Sequence, residues 1–192
     1  QKRPGEAWFP VALGGHTGSG RLHVLKKPSG SSLYPPNEAM LLRFSPSSYA
    51  ALDKIIEVPL MTLSDFIDQH RRPLPNLIKL DVQGAELDIL KALRPEHWQS
   101  VLAVQAEVEF VEFYRGQPLF ADVDAFMRAH GFVMFDLLPV RSYRFADDRS
   151  HGLLRRHLNL VKNRRDISCR LIAGDVLYLR PAEDVVASGN LT

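Results

Sequence analysis

The chain has 192 residues, 45% of them hydrophobic and 24% charged, an ordinary balance for one globular domain able to bury a sizeable core. Its apolar runs are only a few residues long, against about 20 for a bilayer span, and the polar opening with Lys2, Arg3 and Glu6 is no signal peptide. A net charge of +2 gives no pointer to nucleic acid. The single cysteine, Cys169, excludes an intramolecular disulfide and a cysteine-cluster metal site and weakly favours a reducing, cytoplasmic compartment.

The chain starts at Gln1 rather than Met and enters an apolar stretch, residues 8–13, almost at once, so it reads as a fragment lacking its N-terminal part. Residues 8–13 predict a strand and the Gly-rich residues 14–20 a turn. The alternating Arg21-Leu22-His23-Val24-Leu25 predicts a second strand, able to form a hairpin with the first. Residues 27–48, rich in Pro and Ser, read as a loop. Residues 55–60 predict a short strand, placed by Pro59 at a sheet edge or strand end. Thr62-Leu63-Ser64-Asp65 resembles a capping box with Asp for the usual Glu or Gln. The helix it opens has Leu63, Phe66 and Ile67 on its apolar face and is ended by Pro73 and Pro75.

Residues 76–81 then predict a buried strand on Leu77, Ile78 and Leu80, followed by a turn at Gly84 and a helix over 85–93. The continuously apolar start of residues 101–110 fits a central parallel strand. Residues 121–130 predict a helix with Val123, Phe126 and Met127 inward, stopped by Gly131. Residues 132–137 and 175–179 complete the strands. Strands alternating with helices imply an α/β sheet, in one domain over residues 1–192 without internal repeats. Between residues 139 and 170 lie eight Arg, one Lys and three Asp, a net of +6 that leaves −4 for the rest of the chain. Such a basic insertion either attracts an anionic partner or is a solvated, salt-bridged surface.

The most informative segment is 77–90, where a hydrophobic strand runs into Asp81, then Gly84, then a helix. Ligands of open α/β sheets bind beyond the carboxyl ends of the strands, and Asp81 belongs at that edge. It either faces a ligand or caps the following helix. Glu107 and Glu109 share a strand face near its carboxyl end and face either an acceptor, solvent or the basic insertion. The Gly14–Gly20 loop looks like a phosphate cradle, but no helix with Lys-Ser or Lys-Thr follows, so a hairpin turn is expected. The seven histidines show no ligand spacing; no metal site is expected and surface positions are the default.

Ile-Lys-Leu-Asp81-Val-Gln83-Gly-Ala-Glu86 resembles the signature of FkbM-type methyltransferases, usually Ile-Lys-Ile-Asp-Val-Glu-Gly-Ala-Glu. Further segments agree in order: Val11-Ala12-Leu13-Gly14, Gly30-Ser31-Ser32-Leu33, Val58-Pro-Leu-Met-Thr-Leu63-Ser-Asp65, and Glu107 to Asp124, the last similar to a bacterial branch of the family. The resemblance runs from about residue 8 to 180. It implies a Rossmann-like class I methyltransferase sheet, with the N-terminal strands and Gly-rich cofactor loop missing from the chain. The implied reaction is transfer of the methyl of S-adenosylmethionine to a hydroxyl of a sugar, glycan or secondary metabolite; a non-catalytic binding or assembly remnant of the fold is the alternative. Asp81, Glu107 and Glu109 are the catalytic candidates; Ala12, Leu13, Ser32, Asp81 and Gln83 are the cofactor candidates. Ala12 and Leu13 are otherwise plain core. Gln83 stands where Glu is usual, keeping an acceptor oxygen but losing the charge. The expected partner is a small-molecule or glycan acceptor, with no nucleic acid and no membrane span. With its first cofactor motif absent, the chain alone is expected to bind S-adenosylmethionine weakly and to be inactive.

Overall fold

The computed structural model describes residues 6–44, 51–138, 141–144 and 169–187. Its strands fall into two mixed sheets among helices, which meets the expectation of an α/β chain. The first sheet is built on β3 (Leu52–Met61), rich in the β-branched residues that favour a pleated surface. On one side it takes β2 (Gly18–Leu25), antiparallel. On the other it takes β1 (Ala12–Leu13), parallel, with Ala12 opposite Leu60 and Leu13 opposite Met61.

The hairpin expected of the first two strands therefore does not form: β1 and β2 flank β3 instead. The ten residues of β3 offer a longer ladder than the two of β1. The first strand is also shorter than expected, because Phe9 leaves it to pack edge-on against Phe66, ring centroids 4.8 Å apart. Pro59 lies in the central strand rather than at a sheet edge, two residues from the end of β3, as the strand-end alternative allowed. This is tolerated because β1 reaches only Leu60 and Met61, so the absent Pro59 N–H falls outside that ladder. The Pro- and Ser-rich stretch is not all loop. Pro28 opens a 3₁₀ turn, Pro28–Gly30, and Asn37 opens helix α1 (Glu38–Phe44) by accepting the Met40 N–H at Oδ1, 3.3 Å. Helix α2 (Leu63–Gln69) begins as the capping pattern predicts, with the Asp65 N–H donated to Thr62 Oγ1 at 3.0 Å.

The second sheet has the order β4 (Leu77–Leu80), β5 (Ala103–Glu109), β8 (Cys169–Leu179), β6 (Val133–Leu137). Strand β4 runs parallel to β5. Strand β8 is antiparallel to β5 and to β6. A further short strand, β7 (Arg141–Arg144), pairs with the start of β8. The last strand thus begins at Cys169, not at 175, and both ends of the basic insertion continue the ladder. Residues 145–168, its middle, lie outside the described residues, as do Arg155, Arg156, Arg164 and Arg165.

Helices α3 (Glu86–Lys91), α4 (Pro95–Trp98), α5 (Phe120–Ala129) and α6 (Ala182–Ala187) complete the chain. The main core joins α3 and α5 to this sheet through Ile89, Leu90, Val104, Met127, Val176 and Tyr178, all fully buried. Each large apolar side chain so buried contributes about 1.5–3 kcal/mol. In β4 the alternation buries Ile78 and Leu80 but leaves Leu77 61% exposed, against the expectation of a strand buried throughout. No helix among the described residues is long and apolar enough to cross a membrane.

Candidate functional site

Strands β4 and β5 run parallel with Ile78 opposite Val104 and Leu80 opposite Ala106, so their carboxyl ends share one edge of the sheet. Asp81 leaves β4 at that edge, and Glu107 and Glu109 follow Ala106 in β5. Residues two apart on a strand face the same side. Both glutamates are buried, each 3% exposed, so neither is a solvent-facing edge residue.

The turn after β4 is held from within. Gln83 and Gly84 both adopt left-handed backbone, φ 60° and 102°. A side chain at Gly84 would be strained at that φ, and its Cβ would lie 3.3 Å from Gln117 Cβ and Tyr114 Cδ2. The Glu86 carboxylate accepts the Val82 N–H at Oε1, 2.8 Å, and the Gly84 N–H at Oε2, 2.9 Å. Asp81 does not cap the helix; the N-cap position is Ala85 and no side chain caps it. The Asp81 side chain is 49% exposed, with Lys79 Nζ 3.8 Å from its Oδ2.

Gln83 ties the edge together. Its amide nitrogen donates to Asp81 Oδ1 at 3.1 Å and to Glu107 Oε2. The Tyr114 hydroxyl lies 3.1 Å from Gln83 Oε1 and 2.8 Å from the Gly30 carbonyl, with one proton to serve either. Ser32 is buried and donates to the Gln83 carbonyl at 2.6 Å. Gln117 accepts the Tyr114 N–H at 2.6 Å. Ser32, Asp81, Gln83 and Glu107 thus meet in one hydrogen-bonded group. Ala12 and Leu13 lie instead in β1, half-buried on β3, with Leu13 packed against the main core.

Electrostatics follow from burial. Glu109 is pushed up to about 9, first by burial and then by the nearby Glu86 and Glu107 carboxylates, so it carries a proton at neutral pH. Burial also raises Glu86, against the lowering by the amides it accepts. The Tyr114 phenol is raised by burial and by the same three glutamates. A half-exposed carboxylate beside a buried one can accept hydrogen bonds from hydroxyl or cationic groups and take up a proton.

Sequence reasoning passed over Glu86, Tyr114 and Gln117 as site residues. For Glu86 a signal existed: an acid two residues after a turn glycine, at a helix start. Tyr114 and Gln117 offered only their place in the family-like stretch from Glu107 to Asp124, since both come from a distant loop. The Gly-rich loop leads into β2 and not a helix, as expected, but it is no hairpin turn: β1 and β2 both pair with β3, and Gly18 to Gly20 already belong to β2. It borders a cleft of about 510 Å³ with Arg21, Tyr34, Asp88 and Lys91, in which Tyr34 donates to Asp88 at 2.6 Å. His23 and His97 are buried rather than at the surface; His97 Nδ1 lies 3.0 Å from Ser64 Oγ. No group of three or more His, Cys, Asp or Glu that could hold a metal ion occurs among the described residues.

No solved structure matches the chain significantly. A curated protein named "Methyltransferase 1", from Beauveria bassiana (strain ARSEF 2860), is 39% identical over 54 residues. That match spans 28% of this chain and only 22% of the relative's length. The family model described as "Methyltransferase FkbM domain" matches residues 2–134, a stretch that contains the whole Asp81–Gln83–Glu107 group and more than half of the chain. The chain belongs to the FkbM methyltransferase family.

Proposed function

We propose that this protein is an S-adenosylmethionine-dependent O-methyltransferase acting on a hydroxyl of a sugar, glycan or secondary metabolite, on a Rossmann-like sheet of which β4 and β5 form part. The observation that carries the reading is the pairing of a half-exposed Asp81 with a buried Glu107 through one Gln83 amide at the carboxyl edge of β4 and β5. The donor set fits the cofactor: the edge is acidic, and the Asp81 carboxylate, half-exposed and 3.8 Å from Lys79 Nζ, can still accept a hydrogen bond from a hydroxyl or cationic group. Bound there, the cofactor supplies an electrophilic methyl group. Asp81 holds its polar part by accepting hydrogen bonds. Glu107, fixed by Gln83, takes the proton of the acceptor hydroxyl. Glu109, protonated, adds no second charge. Holding nucleophile and methyl carbon in line supplies much of the rate in such reactions. The basic insertion, residues 139–170, is the proposed contact for an anionic acceptor.

The test is titration of the complete gene product with S-adenosylmethionine, followed by transfer assays on hydroxylated acceptors. A Kd near micromolar, about −8 kcal/mol, and transfer reduced about 10²–10⁴-fold by Glu107→Gln are expected. Failure of the complete product to bind the cofactor would make it a non-catalytic remnant of the fold.

A further inference from the structure

The Gln83 side chain uses both of its amide hydrogens. Its nitrogen serves two carboxylates, Asp81 Oδ1 and Glu107 Oε2, and its Oε1 lies 3.1 Å from the Tyr114 hydroxyl. Its own carbonyl is taken by Ser32 Oγ at 2.6 Å. Three separate stretches of the chain, at Ser32, at residues 81–86 and at residues 107–114, meet at this residue. Its backbone sits at φ 60°, a region non-glycine residues rarely occupy and which persists only where the surroundings hold it. Here the two flanking amides, of Val82 and Gly84, are both held by Glu86.

The groups around the amide are nearly all of one sign. Asp81 and Glu107 face it directly, Glu86 and Glu109 stand behind them, and the Tyr114 phenol closes the third side. Lys79 lies 3.8 Å from Asp81. An ionised carboxylate at position 83 would have no proton to donate to either neighbour. A neutral amide donates to both, and a donor at a carboxylate favours its charged form.

We propose that Gln83 is a positioning residue: it aims the Glu107 carboxylate at the carboxyl edge and, being neutral, keeps that carboxylate available as a proton acceptor. The role of Glu107 rests on the methyl-transfer reading, whereas the contact between Gln83 and the two carboxylates does not, so two measurements separate them.

The variant is Gln83→Glu, which keeps size and shape. At acid pH its neutral carboxyl donates one proton where the amide donated, and the variant should melt close to wild type. As pH rises, ionisation of Glu at 83 is opposed by Asp81 and Glu107, so its pKa is higher folded than unfolded, and stability is lost with rising pH. Thermal unfolding of both proteins from pH 5 to 9 should show a gap in Tm that widens with pH. Adding Glu107→Gln to the variant should narrow that gap. A gap independent of pH overturns the proposal.

In the transfer assay, the acid limb of the kcat–pH profile should move up by about one pH unit or more in Gln83→Glu, the scale of a carboxylate pair sharing a site. An unmoved limb beside a widening melting gap overturns the positioning role and leaves a structural clip. Absence of transfer by the native protein, with the widening gap intact, defeats the methyl-transfer reading and with it the role of Glu107, while the clip stands.

Discussion

At the scale of single residues, Glu109 shows what burial does to a charge. The alternation of β5 put Glu107 and Glu109 on one face, and that much is legible in Glu-Val-Glu. Whether the face met water was not, because the answer lies in Gln117 and the loop carrying Tyr114. With its folded pKa pushed up to about 9, Glu109 keeps a proton that the unfolded chain releases near the ordinary carboxylate value. The native state then binds more protons than the unfolded state between about pH 4.5 and 9, so stability falls as pH rises through that window. The slope for one proton approaches about 1.4 kcal/mol per pH unit. Glu109→Gln should flatten it, as urea unfolding of both proteins from pH 5 to 9 would show; equal slopes would mean that Glu109 ionises in the folded protein. Asp81 behaves differently because it is half-exposed. Asp81→Ala should abolish transfer with the melting curve unchanged, since its carboxylate caps no helix.

At the scale of elements, local signals were reliable where the partners lie a few residues apart. Thr62 caps α2 through a bond spanning three residues, and the four-residue pattern states it outright. Thr62→Ala should cost about 1 kcal/mol, measurable as a fall in the urea midpoint. The 3₁₀ turn and α1 also had local signals, Pro28 and Asn37, masked by the Pro- and Ser-rich composition around them. The turn after β4 is the element on which the site depends. Gly84→Ala places a Cβ 3.3 Å from Gln117 and Tyr114 at φ 102°, a backbone region that costs an L-residue about 1–3 kcal/mol. The variant should lose at least that much stability and lose transfer with it. An alanine variant as stable as wild type would show that this turn has room to relax.

At the scale of the whole molecule, the two sheets are joined by a polar seam. Ser32 reaches Gln83, Tyr34 reaches Asp88, Tyr114 reaches Gly30, and the Asn37 amide donates to the Glu112 carbonyl at 3.0 Å. Removing hydroxyls from this seam by Ser32→Ala with Tyr114→Phe should loosen the first sheet before the second, because local opening follows local contacts. Hydrogen exchange should quicken at β2 and β3 and hold at β4, β5 and β8; uniform quickening would mean that the sheets unfold as one unit. The proposed role of the basic insertion belongs to this scale too. Changing Arg155, Arg156, Arg164 and Arg165 together to Ala should raise the KM for an anionic acceptor and leave cofactor affinity constant. The effect should shrink with salt, since exposed charges are screened within about 8 Å at physiological ionic strength. An unchanged KM would return these arginines to solvated surface.

The sequence by itself determined the α/β alternation, the cap of α2, the strand–Asp81–Gly84–helix unit and the family, because each rests on neighbouring residues or on motifs in fixed order. Only the tertiary structure decided that β1 and β2 flank β3, that Glu107 and Glu109 are buried, and that Gln83 gathers the edge. These depend on partners brought together by folding, Ser32 with Gln83 across 51 residues and Tyr114 with Gly30 across 84. No periodicity encodes such pairs. The turn forces Gln83 into left-handed backbone, and the surrounding hydrogen bonds make that conformation stable.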